Sequence, residues 1–370
     1  MGKKDMQPKG LNRRSLIKGA AGAAAGGSAL STAIAQASTG NPGFNINLRQ
    51  DNGELVIYNW YQPWIAEVVP IFEEEAGINV TQLGTYSSND EWWARLNAGE
   101  NFDFFIPSTD WVQRAMAANL LHPLDEGQIP NIDNLYEEFQ ENEIYQQDGN
   151  TYAVPFSRVY YSLTYNTEEF PEAPTSWGVT WDAQYDGRIT MQDQAYARVG
   201  TTALYIGDDP IQPTEWDRIR ELLLEQKELV FKYWTDYQNG MEMFINEEAL
   251  VGQLTAGRTR MGAAEGAPID WTVPEEGVLT FIDTFAIPST SENPENGHKF
   301  INFLHRADIM AMEMRMMYYD TLNRAAREEL EPELAEQFAV PEESILVLTT
   351  DLDPQVRQRI DELWTEVKLS

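Results

Sequence analysis

The chain has 370 residues, of which 42% are hydrophobic and 11% aromatic, so it can bury a sizeable core and is not an intrinsically disordered polymer. It contains no cysteine, which excludes disulfides, thiolate metal sites and cysteine nucleophiles. The formal net charge of −33 would repel phosphate backbones, which argues against nucleic acid as a partner. Such an acidic chain, poor in Lys, is typical of proteins kept in concentrated salt; an ordinary acidic secreted protein is the alternative.

Residues 1–37 differ in composition from the rest of the chain and predict an export signal. Basic residues dominate its beginning, an Ala/Gly-rich stretch follows, and Ala35–Ala37 has the pattern of a cleavage site. Within it, Asn12–Lys18 contains two adjacent arginines and resembles a twin-arginine signal. We therefore predict export of the folded chain, cleavage near Ala37 and a periplasmic location. An uncleaved anchor is the alternative, and the Ala/Gly content of the stretch argues against it.

The exported part begins with a polar segment at 38–52, predicted to be a flexible leader, and then alternates strands with helices. Hydrophobic patterning predicts strands at 55–58, 78–83 and 102–106 and a helix at 65–75 that ends at Gly77. A second helix through Leu96 has Ser87 or Ser88 as its N-cap and ends at Gly99. A third helix has Thr109 as its predicted N-cap and runs through Leu121. A mixed pattern continues over 152–287, and 297–370 is mostly helical. The alternation predicts an α/β fold with a parallel sheet.

Aromatic and acidic residues follow two of these strands, at the sheet edge where ligands of α/β proteins bind. Indole faces attract an ammonium group, and carboxylates hold it by charge-assisted hydrogen bonds. A pocket for an organic amine is therefore one interpretation; the alternative is that these residues are core aromatics and helix caps. The candidates are Trp60, Asp110, Asp193, Phe281 and Asp283.

Two further classes of function stay open. Phosphate-loop, dinucleotide-binding, nucleophile-elbow and zinc-protease motifs are missing from the exported part of the chain, which leaves a carboxylate-dependent hydrolase as the enzyme alternative. The adjacent pairs Tyr160-Tyr161 and Tyr318-Tyr319 could bind ferric iron through phenolate oxygens, although tyrosines also pack well without metal. We predict no cofactor, no resident metal and no catalytic residues.

Short stretches in a common order between about Leu55 and Ala326 match a known family. They are Ile57–Trp60, Gly77–Val80, Thr85–Tyr86, Phe102–Asp103, Pro107–Thr109, Ala153–Phe156, Thr175–Trp177, Ala286–Pro288, Lys299–Leu304 and Asn323. In these residues the chain resembles the periplasmic spermidine/putrescine-binding proteins that serve ABC importers. The resemblance implies a type II periplasmic binding protein with two α/β lobes, joined by two crossovers that act as a hinge. We expect one lobe at 53–155 plus 284–325 and the other at 156–283 plus 326–370.

The resemblance also implies the ligand site and the partners. Trp60, Ser108, Asp283 and Tyr319 occupy positions where the family binds the ligand, and Phe281 replaces a tryptophan. The chain departs from the family at Asp110, in place of an aromatic residue, and at Thr255, in place of a tryptophan. It also has Gln194 and Ala197 in place of two acids, with Asp193 nearby. We expect a monomer that binds a polyamine or a related small organic cation and delivers it to an ABC permease.

Overall fold

The computed structural model describes residues 53–60, 62–140, 143–350 and 352–370, so the predicted export signal and leader lie outside the described residues. The strands are β1 (Glu54–Trp60), β2 (Asn79–Tyr86), β3 (Gln146–Gln147), β4 (Asn150–Thr151), β5 (Ala153–Asn166), β6 (Ile189–Gln192), β7 (Val230–Trp234), β8 (Val251–Thr255), β9 (Ile269–Thr272), β10 (Val278–Ala286), β11 (Asp320–Thr321) and β12 (Leu346–Leu348). The helices are α1 (Pro63–Ala76), α2 (Asn89–Asn97), α3 (Thr109–Ala117), α4 (Glu137–Gln140), α5 (Ala195–Ile206), α6 (Trp216–Leu229), α7 (Tyr237–Ile245), α8 (Ala256–Ala264), α9 (Pro294–Leu304), α10 (Ala307–Met317), α11 (Arg324–Glu328), α12 (Pro332–Glu336) and α13 (Pro354–Leu369).

β1, α1 and β2 form the predicted strand–helix–strand unit. The two strands pair in parallel, with Leu55 opposite Val80. Pro63 occupies the first position of α1, where its missing N–H is not needed. The helix ends at Gly77, whose φ of 68° lies in the left-handed region that glycine adopts without steric cost. The prediction for this unit is therefore confirmed, including the residue that ends the helix.

The segment after α2 differs from the prediction in three respects. Residues 102–106 are extended but form only isolated bridges, because Asp103 Oδ2 accepts the Val56 N–H at 2.8 Å in place of a ladder carbonyl. Thr109 does not cap the next helix: the N-cap is Ser108, and Thr109 Oγ1 donates instead to the Ile282 carbonyl at 2.8 Å. α3 ends at Ala117, short of the predicted Leu121.

Two long antiparallel strands, β5 and β10, run through the middle of the larger sheet. The strand order is β12-β10-β5-β8-β6-β7, with β9 and β11 also paired to β5. β6 pairs in parallel with β7 and β8, so this sheet is mixed, and the predicted parallel arrangement holds only in part. The register of β5 and β10 shifts where Asp283 faces Ser157 and Thr284 faces Pro155. The lobe boundaries expected from the sequence lie beside this shift and stay a prediction.

Separate hydrophobic clusters lie on the two sides of these strands. One contains α1, α9 and α10, in which the rings of Phe72 and Phe300 pack edge to face with centroids 4.9 Å apart. Another contains Leu163, Trp177 and Met191 around β5 and β6. In a third cluster, α13 packs against α5 and α6 through Trp364 and its neighbours, so the predicted helical C-terminal part is divided between this cluster and the one around α9 and α10. None of the described helices is long and apolar enough to cross a membrane.

Candidate ligand-binding site

A cavity of about 290 Å³ lies where the end of β1 and the starts of α2 and α3 face β5, α7, α8 and β10. Six of the seven residues predicted from the sequence line it: Trp60, Ser108, Asp110, Phe281, Asp283 and Tyr319. Its volume is at the small end of the range for ligand pockets, which suits a small, narrow molecule.

The indole of Trp60 is held in place on one side of the cavity. Trp60 Nε1 donates a hydrogen bond to the Ile106 carbonyl at 2.9 Å, and its ring packs edge to face on Tyr86 with centroids 4.7 Å apart. The Tyr86 hydroxyl donates to the same carbonyl at 2.7 Å and accepts from the Ile106 N–H at 3.0 Å. Both rings therefore present fixed aromatic surfaces to a ligand.

Ser108 connects the start of α3 to β10. Its backbone bridges Asp283 in antiparallel fashion, and its hydroxyl accepts a hydrogen bond from Asn89 Nδ2 at 2.7 Å. Asn89 Oδ1 in turn accepts from Trp92 Nε1 at 2.8 Å. These bonds fix the position of the serine beside Asp283, and leave its hydroxyl hydrogen available as a donor to a ligand.

Asp283 is the most unusual group in the cavity. The residue is only 5% exposed, and its Oδ1 has no hydrogen-bond partner among the residues that the structure describes. Burial, and to a smaller extent the negative charge of Asp110, raises the pKa of Asp283 well above its ordinary value. A buried acid beside a second acid needs a positive charge in order to ionise, so this part of the cavity is suited to a cation.

Further aromatic rings form another part of the cavity wall. Phe281 contacts Tyr161 with ring centroids 5.2 Å apart, and Tyr161 shares a hydrogen bond with Tyr237. Burial is the main reason why the pKa of the Tyr161 hydroxyl lies well above 10.0. The neighbouring Tyr237 hydroxyl raises this pKa further, because two phenolates side by side would repel each other. Both phenols are therefore neutral, and this wall is suited to the apolar part of a ligand.

Tyr319 completes the wall because the neighbouring helix leaves room for its ring. A Cβ on Gly257, in the first turn of α8, would lie 2.1 Å from Tyr319 Cδ1. Tyr319 is 7% exposed and follows Tyr318, which ends α10 in the left-handed conformation at φ 55°. The structure therefore turns the two tyrosines of this pair in different directions.

Asp193 is the one predicted residue that the structure does not bring to the cavity. Its Oδ1 accepts hydrogen bonds from Trp364 Nε1 at 2.8 Å and from Lys368 Nζ at 3.0 Å, both on α13. Gln194 does reach the cavity, although its Oε1 accepts from the Ala197 N–H at the start of α5. Asp193 is therefore committed to holding the C-terminal helix.

Sequence reasoning missed several lining residues, notably Tyr86, Tyr237 and Arg258. Tyr161 was considered only as part of an iron-binding pair, and that pair is divided by the strand: Tyr160 points away and donates to Asp320 Oδ2 at 2.9 Å. Within the described part of the chain, no cluster of three or more His, Cys, Asp or Glu is placed to hold a metal. Because side chains alternate between the two faces of a strand, the sequence could have indicated that Tyr160 and Tyr161 on β5 face in opposite directions.

Comparisons with known proteins point in one direction. The family model for bacterial extracellular solute-binding proteins matches residues 67–341. The spermidine/putrescine-binding periplasmic protein 1 of Haemophilus influenzae is 29% identical over 295 residues, which are 78% of this chain and 81% of the relative. The spermidine/putrescine-binding periplasmic protein of Escherichia coli is 27% identical over 290 residues, which are 77% and 82% of the two chains.

Solved structures show the same likeness. A spermidine/putrescine ABC transporter substrate-binding protein from Streptococcus pneumoniae superposes with a TM-score of 0.76 and 24% sequence identity. The match covers 86% of this chain and 99% of the pneumococcal chain.

Proposed function

Since the chain belongs to the family of bacterial extracellular solute-binding proteins, we propose that it captures a small organic amine, of the class that its polyamine-binding relatives take, and delivers it to an ABC permease. The protein acts outside the cytoplasmic membrane as a monomer and makes or breaks no bond. Its fold agrees with this function: the likeness to solved structures confirms the predicted type II periplasmic binding fold with two lobes.

The observation that carries the proposal is the buried carboxyl group of Asp283 at the cavity wall. Its Oδ1 has no partner among the described residues, and the nearby charge of Asp110 is also negative. An ammonium group placed there would supply the missing hydrogen bonds and balance both charges. In this arrangement Asp110 offsets the loss of the family acids at Gln194 and Ala197.

The aromatic walls would hold the carbon chain of the amine. Trp60, Phe281 and Tyr319 all line the cavity. Ring faces attract an ammonium by about 0.5–2 kcal/mol each and bury methylene groups, so the walls and the acids act on different parts of one molecule. Closure of the two lobes on the amine would then present a distinct form to the permease.

Titration calorimetry of the purified protein with putrescine and spermidine tests this function. We expect saturable binding, with a change in tryptophan fluorescence because Trp60 and Trp111 line the cavity. Asp283→Asn should weaken binding by about tenfold to a hundredfold, as expected for the loss of a charged hydrogen bond. The matched control is Asp193→Asn, which removes a carboxylate outside the cavity and should leave amine affinity unchanged.

Three outcomes would count against the proposal. Equal losses in the two variants would mean that Asp283 is not the ammonium site. A purple colour with ferric citrate and no heat with amines would instead favour a ferric-ion receptor that uses tyrosines such as Tyr161 and Tyr319. Product release from a panel of glycosides would favour a carboxylate-dependent hydrolase.

A further inference from the structure

Arg258 is a buried cation in a cavity whose other charged residues, among those the structure describes, are acidic. It is the third residue of α8, is 7% exposed and lines the cavity on the side of β5 and α7. The proposed capture of an amine gives this residue no role.

The guanidinium of Arg258 has few hydrogen-bond acceptors among the described residues. Its recorded hydrogen bond is from Nη1 to the Met261 sulfur at 3.8 Å, and Nε has no partner in the described ranges. No carboxylate of the described residues lies within 4.0 Å of it. The two other buried arginines have oxygen acceptors, since Arg198 donates to Gln253 and Arg260 donates to the Tyr318 carbonyl at 3.0 Å.

The position of Arg258 on its helix is also unfavourable. It lies in the first turn of α8, where the helix dipole is positive and where acidic side chains are the stabilising choice. The first turn of α8 contains no acidic residue, and the N-cap Thr255 makes no capping hydrogen bond through its side chain. Thr255 Oγ1 is itself buried without a partner among the described residues. A buried cation and a helix N-terminus together form an environment for an anion at the cavity wall.

This positive environment is separate from the acidic one. Arg258 lies on α8 and Asp283 on β10, and no ion pair among the described residues joins them. Arg258 therefore does not neutralise the acids. The cavity offers a negative region at Asp283 and a positive region at Arg258, and a ligand with a charge of one sign satisfies only one of them.

We propose that the amine bound by this protein carries a carboxylate at the end opposite its ammonium, so that the ligand class is the ω-amino acids. The ammonium lies at Asp283 and the carboxylate pairs with Arg258, whose planar fork suits two parallel hydrogen bonds. This inference rests on the proposed function for the ammonium end and adds the second charge. A plain diamine of equal length would place its second ammonium beside Arg258 and bind more weakly.

Calorimetry with three molecules of equal carbon number tests the inference: 5-aminopentanoate, cadaverine and pentylamine. The shorter 4-aminobutanoate and the longer 6-aminohexanoate are included because the distance between Asp283 and Arg258 decides which chain length fits. For the protein without substitutions, we expect 5-aminopentanoate or one of these two homologues to bind at least about tenfold more tightly than the monoamine of equal carbon number.

The variant that removes the charge is Arg258→Met, and Arg258→Lys keeps it. We expect Arg258→Met to lose about tenfold or more in affinity for the amino acid, to keep its affinity for pentylamine, and to gain affinity for cadaverine. Arg258→Lys should recover part of the loss. Arg324→Met, an exposed position outside the cavity, makes the same change in net charge and should alter neither affinity. Pentylamine binding also reports whether the Arg258→Met variant is folded.

The inference is overturned if cadaverine or pentylamine binds as tightly as the best amino acid. It is equally overturned if Arg258→Met leaves the preference between the two series unchanged. In both cases amines still bind, so the proposed function stands. If neither series binds, the proposed function and the inference fail together.

Discussion

Asp283 and Glu313 are two buried carboxyl groups that act on each other behind the cavity wall. Glu313 is fully buried, and its Oε1 accepts a long hydrogen bond of 3.5 Å from Ser157, the residue that faces Asp283 across β5 and β10. Burial raises the pKa of Glu313 well above 4.5, and the charge of Asp283 adds to this effect. Ionisation of one group therefore opposes ionisation of the other.

Amine binding should release a proton from Asp283. The pKa of Asp283 is raised in the folded protein, so at a mildly acidic pH above 3.8, the ordinary aspartate value, the free site is more protonated than an ordinary aspartate. An ammonium favours the ionised form and expels that proton. Calorimetry at this pH in buffers of different ionisation enthalpy should therefore show proton release to the buffer. The release should be absent in Asp283→Asn, and binding without any buffer dependence would contradict the assignment.

Glu313→Gln should stabilise the protein at neutral pH. Since the folded pKa is raised, the parent loses stability as the pH rises above 4.5, the ordinary glutamate value, towards the folded pKa. Because glutamine carries no charge to bury, we expect the free energy of unfolding at pH 7 to be higher in the variant than in the parent. The gain should vanish below pH 4.5 in denaturant titrations. Glu328→Gln, an exposed control, should change stability little at any pH; an equal gain in both variants would contradict the explanation.

At the scale of elements, the contact between α8 and the segment after α10 depends on Gly257, which has no side chain and so leaves room for the Tyr319 ring. Gly257→Ala should displace the Tyr319 ring, because the new Cβ would come within 2.1 Å of it. Alanine is the better helix former by about 1 kcal/mol, so the helix itself should not weaken. We expect the affinity for the bound amine to fall by about tenfold in calorimetry, through loss of the aromatic wall.

The control for this prediction lies in the same helix. Gly262→Ala would place its Cβ 2.8 Å from the Ile269 Cδ1 atom, the flexible end of a side chain outside the cavity. We expect it to change amine affinity little. If both variants bind the amine as the parent does, the packing of Tyr319 against α8 does not shape the site.

For the whole molecule, the formal charge of −33 should make stability depend on salt. Raising NaCl from about 0.1 M to about 1 M shortens the screening length from about 10 Å to about 3 Å, which weakens repulsion among the surface carboxylates. We expect the melting temperature to rise by a few degrees over this range. The rise should shrink near pH 4, where more carboxyl groups are protonated. A melting temperature that is constant or falls with salt would contradict this prediction.

Local sequence signals were enough for the elements that depend on local chemistry. The start of α1 at a proline and its end at Gly77 follow from single-residue backbone preferences. The strand at 102–106 was less predictable, since the Asp103 carboxylate takes the place of a backbone partner. That substitution depends on Val56, which lies 47 positions away in sequence.

The candidate site was predictable where the family resemblance supplied positions, as at Trp60 and Asp283. Pattern reasoning could not exclude Asp193, because its partners Trp364 and Lys368 lie more than 170 positions along the chain. It also gave no reason to select Arg258, whose importance comes from the absence of a nearby carboxylate among the described residues. The absence of a neighbouring carboxylate can be recognised only in the folded structure.

The shift in register between β5 and β10 occurs beside Asp283, so one residue both faces the cavity and belongs to the strand pair at which the sequence predicts that the two lobes join. Anyone who converts this protein into a fluorescent biosensor for a new metabolite should therefore leave Asp283 unchanged. Redesign is safer at Trp60, Phe281 and Tyr319, because changes there should alter which ligand is recognised and leave intact the predicted hinge, whose movement would produce the optical signal.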